Sequence, residues 1–174
     1  MPGDEERLLK SASRCRSRLV GYMIELALET GMRRGELLAL NWSDIDLPNR
    51  TALVQEAKNG SPRYVPLTLK AVRLLRELPV SGPRLFPIAS NAFRLVWERV
   101  RMRAGLSDLH FHDLRHEAVS RLFELGLTVP EVASVSGHKD VRMLFRYAHP
   151  MRDRVIQTLD TAAMQRVIKV PDVP

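Results

Sequence analysis

Apolar residues recur at helical spacing along almost the whole chain, and the pattern breaks in one place, between Trp42 and Leu67. Short β-branched or apolar runs replace it there, Asp44 to Leu47, Thr51 to Gln55 and Arg63 to Leu67, divided by the turn formers Pro48-Asn49 and Asn59-Gly60. A helical chain with one such interruption points to an α+β domain, mainly α-helical, with a small three-stranded antiparallel sheet at one edge.

Before the break, Leu19, Met23, Leu26 and Ala27 mark a buried helix that Gly31 stops, and Arg34 to Leu40 a shorter one. After it, Thr68 caps a helix carrying Ala71, Leu74, Leu75 and Leu78, and Ser90 caps another carrying Phe93, Val96, Trp97 and Val100. The latter also bears Arg94, Arg99, Arg101 and Arg103, either a solvated face or one that meets phosphates. The last third continues in helices: about Asp113 to Leu125 before Gly126, one opened by a Thr128-x-x-Glu131 capping box, and Asp140 to Tyr147 with Val141, Leu144 and Phe145 turned inward. A longer amphipathic helix closes the chain, and its face of Val155, Ile156, Leu159, Ala162 and Ala163 packs on its own domain or on a neighbouring copy. At the start, residues 4 to 10 form a short charged helix and Ser11 to Arg18 a solvated linker. We therefore expect one domain over residues 1–174, with a linker at 1–16 and the core at 17–165.

A net charge of +7 and a pI near 10.2 suit a polyanionic partner, nucleic acid before an anionic membrane. Most of the cations are arginines, whose planar fork grips phosphate through two hydrogen bonds. No run approaches the roughly twenty apolar residues of a membrane span, and the start lacks a secretory signal, so a soluble, cytoplasmic protein is expected. Cys15 is alone and can form neither an internal disulfide nor a Cys-rich zinc site.

All five histidines fall between His110 and His149, among Arg115, Arg121, Arg142 and Arg146. Tyr147 lies off the inward stripe of its helix, which leaves its hydroxyl free to act, whereas Tyr22 and Tyr64 sit where packing explains them. An ordinary phenol, with a pKa of about 10, attacks a phosphodiester only if its proton is removed and the phosphate charge is offset. His112 and Arg115, three apart near a helix start, can point to one spot, the arginine gripping oxygens and the histidine donating or moving a proton. His112 and His116 also have the spacing of a helical zinc pair, but no cysteine is near and the Glu of a His-Glu-x-x-His site is missing.

Taken in order, Thr30-Gly31-Met32-Arg33-Arg34-Gly35-Glu36-Leu37, Lys58, His112-Asp113-Leu114-Arg115-His116, Gly137-His138 and Tyr147 nine residues later resemble the tyrosine recombinase (phage integrase) family over roughly residues 17–165. The resemblance implies a catalytic-domain fold and the following roles. Arg33 and Arg115 clamp the scissile phosphate, Lys58 protonates the leaving 5′ oxygen, His112 and His138 take the two histidine positions, and Tyr147 is the nucleophile. The implied product is a 3′ phosphotyrosyl link with a free 5′ hydroxyl, formed without ATP, metal or other cofactor. Double-stranded DNA is the implied partner, with a homo-oligomer on it, a tetramer in synapsis and a monomer when free. Ser136 stands where an apolar residue is commoner in the family, a difference expected to touch packing. Arg63 lies across the same turn as Lys58, and Glu36 is expected to orient nearby cations. The amino-terminal DNA-gripping domain of the family has no counterpart before Leu19, which bears on unaided site-specific recombination. Two other functions fit the same fold: a DNA-binding module that cuts nothing, and a type IB topoisomerase.

Overall fold

The computed structural model describes residues 3–55, 62–147, 156 and 159–161. The main elements among the described residues are α-helices and one small sheet, in the order α1 (Asp4–Ala12), α2 (Leu19–Thr30), α3 (Arg34–Ala39), β1 (Ile45–Asp46), β2 (Thr51–Val54), β3 (Arg63–Pro66), α4 (Leu69–Glu77), α5 (Ser90–Arg103), α6 (Phe111–Glu124) and α7 (Val129–Ser136). The sheet is antiparallel in the order β1-β2-β3, pairing Ile45 with Ala52 and Leu53 with Tyr64. Among the described residues no helix is long and apolar enough to cross a membrane.

Helix α2 is the centre of the core. Its Met23, Ile24 and Ala27 are fully enclosed, because α6 packs on one side and α4 on another. Phe93 and Trp97 of α5 meet the Phe111 ring of α6 edge to face, with centroids 5.2 and 5.1 Å apart, so the start of α6 is anchored by aromatic contacts. A satellite cluster of Val119, Val132 and Leu144 joins α6, α7 and the segment that follows. Burial of a side chain the size of Leu144 contributes about 1.5–3 kcal/mol, which fixes the approach to Tyr147.

Helix ends are set by local chemistry. Thr68 accepts a hydrogen bond from the Ala71 N–H at 3.0 Å, as its position predicts. At Thr128, the backbone N–H donates to Glu131 at 2.6 Å, closing the expected box. Ser90, by contrast, is the first helical residue, and the cap position falls to Ala89, whose side chain offers no acceptor.

Three expectations change. Ser11 is buried instead of solvated: its hydroxyl donates to the Val100 carbonyl at 2.8 Å, and Leu8 and Ala12 are buried beside it, so α1 is part of the core that α5 covers. Tyr64 is 68% exposed, which removes packing as the reason for that residue. The segment expected to be an α-helix from Asp140 to Tyr147 is a 3₁₀ turn over Val141–Leu144 followed by a hydrogen-bonded turn. With three residues per turn in place of 3.6, Leu144 and Tyr147 share a face. Leu144 is buried, while Val141 and Phe145, expected inward, are exposed.

Candidate active site

Gly31 closes α2 with φ +64°, a left-handed conformation that costs a glycine little. The turn carries the chain into extended Arg33 and then α3. The Gly31 carbonyl accepts a hydrogen bond from Arg115 at 2.6 Å, which ties α6 to this turn. Arg115 is only 2% exposed, and burial first, then the nearby Arg33 charge, pushes its guanidinium down to about 10, still protonated at neutral pH. A buried cation beside a second cation is costly unless an anion offsets them; the nearby Glu36 carboxylate does so in part.

Glu36 organises the other arginines. It is buried, and its two oxygens accept from both guanidinium nitrogens of Arg63 at 2.9 and 3.0 Å, from the Arg33 side chain at 3.0 Å and from the Arg33 backbone N–H at 2.7 Å. Burial alone would push this carboxyl up, yet the hydrogen bonds from Arg63 and Arg33 hold it below the ordinary carboxylate range. Arg63 also donates through Nε to the Val135 carbonyl at 3.2 Å, so β3 is pinned to α7. Arg63 is thus engaged by Glu36 and Val135, and Lys58 lies outside the described residues.

His138 follows Gly137, which caps α7 at φ +70°. A Cβ at Gly137 would come within 2.8 Å of the Arg63 guanidinium, so glycine is required there. Ser136 is fully buried, and its hydroxyl donates to the Val132 carbonyl at 2.5 Å while lying 2.7 Å from His138 Nδ1. With its one proton on the Val132 carbonyl, the hydroxyl is an acceptor toward Nδ1. The Arg115 guanidinium lies alongside the ring, 3.3 Å from Nδ1 and 3.4 Å from Nε2. Burial, then Arg115 and Arg33, push the imidazole down to about 4, so it is neutral at pH 7. The serine expected to affect packing therefore also holds a site histidine through Nδ1.

His112 is exposed at the rim of a cleft shared with Arg33, Arg34, Arg94, Arg101 and Arg115. Desolvation, then His116 and Arg115, lower its pKa. Its ring meets His116 edge to face at 4.7 Å. The Tyr147 hydroxyl, expected to be free, is hydrogen-bonded to His116 Nδ1, and the Arg146 guanidinium sits 5.0 Å from the Tyr147 ring centre. The sequence places His116 at the end of the His112-Asp113-Leu114-Arg115-His116 motif and in the spacing of a zinc pair, and neither reading gives it a role at Tyr147. The signal that could have found it is its place one turn after His112 on the same helix face.

The arginines of α5 divide. Arg94 and Arg101 line the cleft, while Arg103 turns the other way and donates to the Ser11 carbonyl at 3.2 Å. The described part of the site therefore brings Arg33, His112, Arg115 and His138 together with Tyr147, which acts electrostatically on Arg115.

The model of the phage integrase family matches residues 2–154. A shufflon-specific DNA recombinase of Escherichia coli is 42% identical over 95% of this chain and 44% of its own length. A putative integrase/recombinase of Haemophilus influenzae is 36% identical over 79% of this chain and 46% of its own. The chain thus spans less than half the length of these two relatives. Among solved structures, the catalytic domain of bacteriophage HP1 integrase superposes with a TM-score of 0.71 at 27% identity, over 86% of this chain and 85% of that one.

Proposed function

Since the chain belongs to the phage integrase family, we propose that it breaks and rejoins DNA strands in site-specific recombination, with Tyr147 as nucleophile. The observation that carries this reading is the convergence of Arg115, Arg33, His112 and His138 around the turn that presents the Tyr147 hydroxyl.

In this reading the scissile phosphate enters the cleft and meets Arg33 and Arg115, whose fixed positive charge stabilises the five-coordinate transition state. Because the buried Arg115 is already held by Gly31, little reorganisation is needed when the phosphate arrives. The Tyr147 oxygen attacks phosphorus, the bond to the 5′ oxygen breaks, and Lys58 supplies that oxygen's proton. The 3′ phosphotyrosyl link keeps the bond energy, so resealing is the same reaction in reverse and draws on no ATP. Arg34, Arg94 and Arg101 grip flanking phosphates, in keeping with the net charge of +7. The protein acts as a homo-oligomer on DNA, a tetramer in synapsis. Ile156 and Leu159, helical and exposed, support a closing helix that docks on a second copy.

The test is to incubate the chain with nicked duplexes in EDTA and resolve covalent protein–DNA complexes on a denaturing gel. A complex that frees a 5′ end open to kinase labelling, and that Tyr147→Phe fails to form, is expected. Salt-sensitive binding without any covalent complex would favour a module that binds and does not cut, and relaxation of plasmid without strand exchange would favour the topoisomerase reading.

A further inference from the structure

The Tyr147 hydroxyl already has a partner suited to take its proton. His116 stands one turn beyond His112 on α6, with Nδ1 hydrogen-bonded to the phenol oxygen and its ring within 25° of parallel to the tyrosine ring. The satellite cluster holds the pair together, since Leu144 is buried against Val119 and Val132 and Tyr147 packs on the same cluster.

We infer that His116 is a catalytic residue: it accepts the Tyr147 proton as the phenol oxygen attacks phosphorus, and returns it when the strand is resealed. This rests on the reading of Tyr147 as nucleophile. In the forward step the O–H proton moves to the Nδ1 lone pair and the oxygen pair forms the new bond to phosphorus. The bond from phosphorus to the 5′ oxygen breaks with its pair left on that oxygen, which takes a proton from a separate acid, the role proposed for Lys58. No other reactant is required.

The surroundings suit this task. A hydroxyl that donates to Nδ1 needs a bare nitrogen there, so His116 carries its proton on Nε2. Facing it are His112, Asp113 and Arg115 from its own helix and Arg146 and Tyr147 from the segment packed against it. Burial, then Arg146 and Arg115, disfavour the charged ring, with Asp113 opposing them; the net effect is a lowered pKa, and the ring is ready to accept at neutral pH. Arg146 lies against the Tyr147 ring, where it offsets the charge that grows on oxygen.

The test compares the full chain with His116→Ala, His116→Asn and Tyr147→Phe. The probe is a set of nicked duplexes taken from a randomised pool by covalent capture on the unaltered chain, and the single-turnover rate of complex formation is followed over roughly pH 5 to 10. The unaltered chain should reach a plateau near pH 7. His116→Ala should bind DNA as before yet react roughly 100-fold or more slowly, with a rate that climbs steadily with pH and recovers on adding imidazole. It should stay slow on duplexes with sulfur at the scissile 5′ position, a leaving group that needs no acid. A plateau of unchanged shape in His116→Ala, a full rate in His116→Asn, or rescue by the sulfur duplex would each overturn the assignment to His116 while leaving Tyr147 in place. Failure of the unaltered chain to form any complex would overturn the nucleophile reading, and this inference with it.

Discussion

Arg115 donates to the Gly31 carbonyl at 2.6 Å, joining positions 84 residues apart. The contact uses one arm of the guanidinium on the turn before Arg33, while the other arm lies against the His138 ring on the side of the site. A lysine keeps the charge but has no second arm. We predict that Arg115→Lys lowers the cleavage rate about 100-fold and Arg115→Ala about 1000-fold, with DNA affinity falling only modestly. Single-turnover cleavage beside a binding titration checks this, and equal losses in both would remove Arg115 from the phosphate clamp.

Glu36 holds two arginines at once, and its carboxyl sits below the ordinary range in the folded protein. A folded pKa below the unfolded one means that the unfolded chain binds more protons on acidification. The stabilisation is therefore complete above about pH 5 and is lost as pH falls through the folded value. Glu36→Gln should lower stability by about 3 kcal/mol at pH 7 and flatten the dependence on acid, because the half-buried Arg63 is left with a weaker partner. Urea unfolding at several pH values reads both effects.

Ser136→Ala removes the acceptor for His138 Nδ1 and the donor to the Val132 carbonyl. The ring is then free to change tautomer and to shift against Arg115, which it already contacts. Cleavage should slow roughly 10-fold with little change in DNA affinity, by analogy with lost orienting contacts elsewhere. Nitrogen-15 shifts of His138 should show Nδ1 protonated in the unaltered protein and a mixed population in the variant. An unchanged spectrum would mean that Ser136 does not set the tautomer.

Two arginines on one helix should behave differently. Arg94 faces the cleft, and Arg94→Ala should reduce the salt dependence of DNA binding by about one unit of slope. Arg103 instead donates to Ser11, and Arg103→Ala should cost about 1 kcal/mol of stability without changing that slope. Binding titrations at several salt concentrations, paired with thermal unfolding, separate the two outcomes.

Much of this was legible in the sequence because apolar period reports burial. Met23 and Ala27 of α2, and Phe93 and Val100 of α5, lie in the core as their spacing predicts. The break between Trp42 and Leu67 reports the sheet. The order of Arg33, His112-x-x-Arg115, His138 and Tyr147 pointed to the site through family resemblance. What stayed hidden depends on contacts distant in sequence. Arg63 reaches Glu36 across 27 residues, and hairpin register decides whether it can. The partner of Tyr147 depends on a 3₁₀ turn that rotates Phe145 out and brings Tyr147 toward α6, a change of period that apolar spacing over eight residues does not reveal. Ser136 reads as a small core residue until the direction of its single proton is traced to Val132.

The most direct measurement is to trap the protein on nicked duplex DNA in EDTA, digest both components, and locate any nucleotide adduct by mass spectrometry. Tyr64, 68% exposed, is the built-in control for indiscriminate chemistry at a surface tyrosine. The account predicts a single nucleotide phosphate on Tyr147 and none on Tyr22 or Tyr64. An adduct on another residue, or none at all while the DNA is cut, would contradict it.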